Sequence, residues 1–501
     1  VYIYFVPYQS GSVISKITGS RPLGQITEIL LNTDTTQEYY AKDPTARWFA
    51  LLSISLSTFC VSLTMSAVNI AVPAIALDFS ANAILVSWVP TAFLLANAIF
   101  LIPAGRAADI YGRKKIFIIG MIIFCLACLM ATLAATIEIL LITRLLQGVG
   151  GALAFATGLA IVMSIFTSEN RGMAIGINSA TLYFGLSCGP IVGGWFTVNY
   201  GWRVVFLFPM VLGSIALLMI IFRLKGEWKN NQAGKVDWYG GIIFAIASST
   251  LFIGISLIPQ MNAVALISVG IIFLVYFIFQ QIHSDFPLIH FKAILQNRMF
   301  SRSLMGNVCI YWSNYPFVFL FSLYLQFIRG MSPVEAGQIM ILQPITMAIV
   351  APIAGRLSDQ FEPRVIATAG CLVMGCAFGI LQGLNTVTSV TLICVAMITL
   401  GLGFGLFTTP NNNAALSSLD KSRYGIGSAL LNFARVSGNM IGTAMVLLLV
   451  SLFIGQVEIQ PDQYPALLHV VSIALGMSCL LAIIGSYFSY SRGNIRILKS
   501  G

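Results

Sequence analysis

Charge is scarce in this chain. Of 501 residues, Asp, Glu, Lys and Arg together make up only 9%. A soluble protein of this length needs several charged domain surfaces, and too few ionisable residues are present to build them. Carboxylates are rarest: there are 17, all in tails, connections or the ends of apolar runs. Asp78, Glu138 and Glu335 come closest to a run's interior. Of the three histidines, His283 and His290 fall in one connection without ligand spacing, and His469 stands near one end of the last run. No cluster of His, Cys, Asp or Glu has catalytic or metal-binding spacing, so neither an enzyme centre, a metal site nor a cofactor is expected. No Gly-x4-Gly-Lys-Ser/Thr loop occurs, which excludes ATP hydrolysis through a P-loop. The nine cysteines lie inside apolar runs and read as small packing residues, not a disulfide framework. Cys125-x-x-Cys128 has a redox spacing but no basic or polar surroundings.

Apolar sequence is abundant. Hydrophobic residues make up 58% of the chain, and the mean hydropathy is +0.89. They fall into blocks of about 20, the length that crosses hydrocarbon as a helix. The expected fold is an all-α polytopic membrane protein with fourteen spans, the first over roughly 48–75 and the last over roughly 466–489. The net charge of +10 does not point to nucleic acid. Of the 27 Lys and Arg, Arg203 and Arg329 fall in one set of connections, and Arg144 and Arg435 inside spans. The other 23 fall in the tails and the alternate connections. Basic connections stay cytoplasmic, so both termini are expected inside. Residues 1–46 lack the order of a signal peptide and read as a poorly ordered tail; residues 491–501 read as a second tail.

The densest charge is Gly105-Arg106-Ala107-Ala108-Asp109-Ile110-Tyr111-Gly112-Arg113-Lys114-Lys115, between spans 2 and 3. Gly355-Arg356-Leu357-Ser358-Asp359, ending at Arg364, repeats it 250 residues later. Both copies follow a span with a proline near its end, Pro103 and Pro352. Two related halves are implied. The offset exceeds six spans and leaves room for two more helices. The expected division is therefore 47–223 and 301–490 for two six-helix bundles, with two linker helices in 224–300.

These residues resemble the major facilitator superfamily and, within it, the fourteen-helix drug:proton antiporter group. The resemblance covers about 47–490. It rests on Gly105, Asp109, Gly112, Arg113 and Lys114, and on the span 4 run Arg144-Leu145-Leu146-Gln147-Gly148-Val149-Gly150-Gly151. It rests also on Gly185-x-x-x-Gly189-Pro190-x-x-Gly193-Gly194, followed by Gly201-Trp202-Arg203. Asp237-Trp238-x-Gly240 and Gln326-x-x-x-Gly330-x-Ser332-Pro333 are similar to the fourteen-helix group. The resemblance implies a multidrug-type exporter in a bacterial inner membrane, with a small-molecule substrate, the lipid bilayer and a coupling proton as partners. It implies gating roles for Gly105, Arg106, Asp109, Gly112, Arg113 and Lys114, with Asp109 capping a neighbouring helix. The second copy, Gly355, Arg356 and Asp359, has Glu362 and Pro363 where Gly112 and Arg113 would fall. Gly185, Gly189 and Gly193 share a helix face suited to close backbone approach. Pro190 beside them removes a helical hydrogen bond, and the resemblance implies gating roles for Gly185, Gly189, Pro190, Gly193 and Gly194 and for Gly355, Arg356 and Asp359 as well.

Charges inside spans cost roughly 2.5–3.5 kcal/mol on insertion scales and so mark function. Arg144 with Gln147, and Arg435 within Asn432-Phe433-Ala434-Arg435, are expected at a coupling or substrate cavity. Asn69, Tyr183, Asn432 and Gln343 are further candidates, together with Trp88, Thr91, Asn307, Tyr311 and Asn314. The family pattern places an aspartate in span 1. Here Leu63-Thr64-Met65-Ser66-Ala67-Val68-Asn69 carries Thr64 at that position. A hydroxyl does not exchange a proton near neutral pH. Two buried arginines without buried carboxylates favour an anionic or zwitterionic substrate, such as a siderophore-like carboxylate. A non-transporting sensor is the reading from another class.

Overall fold

Fourteen helices long and apolar enough to cross a membrane run through the described residues. The structure is a computed structural model that describes residue 40 and residues 43–81, 83–229, 235–258, 260–455 and 463–494. Most of the expected tails, 1–46 and 491–501, lies outside the described residues.

The first half contains α1 (Pro44–Asp78), α2 (Ala83–Tyr111), α3 (Arg113–Thr132), α4 (Ile137–Ile165), α5 (Arg171–Tyr200) and α6 (Val204–Arg223). Two further helices follow, α7 (Trp238–Ser256) and α8 (Met261–His283). The second half contains α9 (Arg298–Leu323), α10 (Leu342–Gln360), α11 (Pro363–Leu381), α12 (Val390–Ser417), α13 (Tyr424–Phe453) and α14 (Tyr464–Ser491). A π-helical turn, Tyr324–Ile328, ends α9, and a short helix, Pro333–Met340, leads into α10.

Local chemistry sets the helix starts. Asp43, Thr136, Asp237 and Ser389 each accept a backbone N–H from the first turn of α1, α4, α7 and α12. Ser332 and Glu335 form a reciprocal capping box before α10. Within the halves, α1 packs on α5 and α6, and α4 on α2 and α3; likewise α9 packs on α13 and α14, and α12 on α10 and α11. α4 is the most enclosed span and α8 the least. α7 and α8 pair with each other, and α7 leans on α2 and α13, one helix from each half. The halves meet chiefly where α5 crosses α10 and α13 crosses α2 and α4.

The sequence places a turn at 105–115. The structure instead carries α2 through Tyr111 and starts α3 at Arg113, so the turn is Gly112 alone. Its φ of 112° suits glycine. Glu227, beyond α6, closes this corner: its carboxylate accepts the Lys114 N–H at 2.9 Å and the Lys115 N–H at 3.0 Å. A side chain at Gly112 would occupy the place of that carboxylate. The Arg113 N–H donates to the Trp228 carbonyl at 3.0 Å. Tyr40, itself buried, stacks on Trp228.

Candidate functional site: two cross-half latches and a polar cavity

The two repeat segments end on opposite halves of the molecule. Asp109, at the end of α2, reaches the first turn of α13. Its Oδ1 accepts the Gly425 N–H at 2.9 Å and its Oδ2 the Ile426 N–H at 2.9 Å. A carboxylate at a helix N-terminus satisfies orphan donors and meets the positive end of the dipole. Arg113 holds the same carboxylate, with Nη2 2.9 Å from Oδ1. It also donates to the Ser164 hydroxyl at 2.8 Å and to the Lys421 carbonyl, and lies over the Tyr424 ring. Both residues of this pair are buried.

Asp359, at the end of α10, does the same to α5. Its Oδ1 accepts the Gly172 N–H at 2.7 Å and its Oδ2 the Met173 N–H at 3.0 Å. The imperfect second copy therefore keeps the cap; what it lacks, with Pro363 in place of Arg113, is the arginine's additional grip on the opposite half. The leading glycines have one physical reason. A Cβ at Gly105 would strike Ala429 and the Gly425 carbonyl, and one at Gly355 would strike the Gly172 carbonyl. Each latch is thus a backbone-to-backbone crossing with one aspartate across it. Arg106 is buried near Asp109, whereas Arg356 is exposed. Lys114 faces the 224–229 segment, donating to the Leu224 carbonyl.

The α5 stripe lies elsewhere. Gly185, Gly189 and Gly193 press on Ser62, Ser66 and Ala67 of α1, inside the first half. Gly194 sits beside Ile70 with room to spare. Pro190 lacks the N–H that would bond the Leu186 carbonyl. The Ser66 hydroxyl supplies that bond from α1 at 2.8 Å. On α5 the surface that meets the second half is Gly172 and Gly176, against Gly355, Ala351 and Pro352.

At mid-depth between the halves lies a small polar cavity of about 50 Å³. Phe155 and Tyr183 wall it from the first half, and Asn307, Tyr311, Asn432 and Arg435 from the second. Tyr183 and Tyr311 both pack edge-on against Phe404. Asn432 crosses the seam, its Nδ2 donating to the Phe155 carbonyl at 3.2 Å. Ser428 donates to the same carbonyl at 3.2 Å.

Several sequence candidates fall outside the cavity walls. Arg144 and Gln147 are fully buried within the first half. Arg144 Nε donates to the Val89 carbonyl at 2.8 Å, its Nη1 bonds Gln147, and its guanidinium lies between the Phe93 and Phe206 rings. Gln147 also contacts Cys128. Carbonyl, amide and aromatic partners hold this arginine inside the first half, its Nη2 alone lacking a hydrogen-bond partner among the described residues, and it does not line the cavity. Asn69 is exposed and bonds only back along its own helix. Gln343 is buried and donates to Asn314 at 2.6 Å, tying α10 to α9. Thr64 bonds the Cys60 carbonyl of its own helix. Of the twelve cavity candidates, Tyr183, Asn307, Tyr311, Asn432 and Arg435 line it.

The sequence reading passed over one network. Arg492, assigned to a tail, is buried and donates to Asn411 at 2.7 Å. Asn411 donates in turn to Asn307 at 3.1 Å. The run Asn411-Asn412-Asn413 inside an apolar span was its visible signal.

Two six-helix halves that span a membrane, latched at one end over an internal polar cavity, define a membrane transporter fold. The chain belongs to the Major Facilitator Superfamily, whose sequence profile matches residues 54–443. It is 30% identical over 402 residues to a riboflavin transporter of Clostridioides difficile, covering 79% of this chain and 87% of that protein. It is 26% identical over 404 residues to the multidrug resistance protein Stp of Mycobacterium tuberculosis, covering 79% and 74%. It is 26% identical over 412 residues to the multidrug efflux pump LfrA of Mycolicibacterium smegmatis, covering 80% and 81%. The human organic anion transporter MFSD10 has a similar fold, with a TM-score of 0.64 at 13% identity over 88% of this chain and all of that one.

Proposed function

We propose that the protein is a secondary active exporter of drug-like or amphipathic small molecules in a bacterial cytoplasmic membrane. It moves its substrate without chemical conversion. The observation that carries this reading is the pair of aspartate caps, Asp109 on α13 and Asp359 on α5, closing one end of two halves over a mid-depth cavity. Breaking both caps opens that end, and rocking of the halves, 47–223 and 301–490, exposes the cavity to each side in turn. The basic connections make the latched end cytoplasmic, with both termini on that side. The structure is then the state closed toward the cytoplasm. The names of the multidrug relatives support export as the direction.

The coupling ion in this reading is the proton. Thr64 cannot carry it, and Asp109 and Asp359 are the carboxylates at the moving seam. A proton on either removes the negative charge that its cap depends on, which links protonation to opening of the cytoplasmic end.

Inverted vesicles test the proposal. A panel of lipophilic cations and aromatic carboxylates is offered with and without an acid interior. Accumulation that collapses with the pH gradient is expected for at least one member. No accumulation of any member by well-inserted protein refutes export. Accumulation indifferent to the gradient refutes proton coupling.

A further inference from the structure

We propose that the cavity is an anion site centred on Arg435, and that the substrates are aromatic molecules bearing a carboxylate or similar acidic group. This rests on the exporter reading above and narrows its substrate class. Arg435 is 9% exposed, so it is nine-tenths buried, and it lines the cavity. Among the described residues its one polar contact is Nη2 to the Asn432 side-chain amide oxygen at 3.3 Å. Its Nε has no hydrogen-bond partner among the described residues. A guanidinium offers five donors and cannot shed its charge, so most of its capacity is unused. Among the described residues, no Asp or Glu lines the cavity. A cationic ligand would meet this charge with nothing to offset it, whereas a carboxylate supplies the bidentate partner that the fork geometry matches. Arg144 also has an unpartnered nitrogen, Nη2, but it is held by the Val89 carbonyl, Gln147 and two rings and does not line the cavity, so Arg435 is the cation that a ligand there would meet.

The walls describe the rest of the ligand. Phe155, Tyr183 and Tyr311 provide aromatic faces, and Asn178 and Asn412 provide amides. At about 50 Å³ the cavity in this closed state is smaller than a drug-sized site, so a ligand of that size needs the halves to part. The guanidinium carbon now stands 5.2 Å from the centroid of the Phe155 ring on the opposite half. Asn432, its neighbour, is tied to the Phe155 carbonyl at 3.2 Å. With the cytoplasmic end shut, α4 therefore covers one face of the guanidinium and holds its neighbour Asn432. Opening that end frees them. This orders the cycle as tight binding from the cytoplasm and release as α4 returns to α13.

The test uses purified full-length protein and three matched probes: 1-naphthoate, neutral 1-naphthamide and cationic 1-methylquinolinium. Equilibrium dialysis gives affinities, with thermal unfolding as the folding control. Wild type is expected to prefer naphthoate. Arg435→Gln should weaken naphthoate by roughly tenfold to a hundredfold, the loss of a charged hydrogen bond, and leave naphthamide unchanged. Arg435→Lys should keep the preference at lower affinity. If the Gln variant does not fold, the Lys variant decides: loss of preference in a folded Lys protein counts against the site. Equal or tighter quinolinium binding, an unchanged naphthoate affinity in Arg435→Gln, or no naphthoate binding at millimolar concentration each overturns the assignment. The two readings separate in inverted vesicles. Naphthoate that binds through Arg435 but is never accumulated leaves the anion site standing and removes the exporter. Accumulated quinolinium that ignores Arg435 does the reverse.

Discussion

Replacing Asp109 by alanine should open the latched end. Only contacts that cross the seam differ between the shut and open states, so only they bias the equilibrium. The Asp109–Arg113 pair lies within one half and survives opening; the bonds to the Gly425 and Ile426 N–H groups do not. A lost N-cap costs about 0.5–2 kcal/mol. Burial places this cap near the upper end of that range, and about 2 kcal/mol is roughly a thirtyfold shift toward the open state. Asp109→Asn retains one acceptor oxygen and should shift less. The assay is a spin-label distance measurement in a cysteine-free background. One label pair replaces Tyr111 and Arg423 across the first latch, and another replaces Glu169 and Arg356 across the second. The expected result is a new long-distance population at both pairs. An unchanged distance distribution in well-folded Asp109→Ala protein would refute the claim that this cap holds the halves together.

Other substitutions probe separate parts of the argument. Gly172→Val should prevent closure of the latched end, because even a Cβ there meets the Gly355 carbonyl; the same distance measurement should show the open population alone, with flux lost and membrane insertion kept. Ser66→Ala leaves the Leu186 carbonyl without its partner and should lower thermal stability by about 1 kcal/mol without changing substrate preference. Arg144→Ala should act on folding, since its contacts join α4 to α2 and pack against α6; a lowered unfolding temperature with the naphthoate preference intact is the expected pattern, and an altered preference at unchanged stability would contradict its placement.

Much of the fold was legible because membrane spans announce themselves through apolar length, and the basic connections through their charge. The repeat at Gly105 and Gly355 was equally plain. What the repeat touches was not. The donors for Asp109 and Asp359 are backbone groups more than 180 residues away, and a backbone N–H leaves no mark in a sequence. The same gap explains the arginines. Arg144 and Arg435 look alike as isolated cations in apolar runs, and only their tertiary neighbours make one a caged packing element and the other a cavity wall. Glu227 was counted among ordinary loop acids, because nothing local shows that it reaches the start of α3. The end of α2 was misplaced for a different reason: polar residues at a helix end outside hydrocarbon read as a loop by hydropathy, although the helix continues through them to Tyr111.

The glycine crossings bear on the thermodynamics of repetition. A transporter must make and unmake its closed end on every cycle. Long side chains would lose rotational freedom at each closure, by as much as about 2 kcal/mol apiece, whereas glycine has none to lose. By meeting as Gly105 on Gly425 and Gly172 on Gly355, the halves re-form these crossings without freezing a side chain at the points of closest approach. In the cycle proposed above, closure at these two points orders no side chain of its own, which leaves the aspartate caps to set how firmly the end is held.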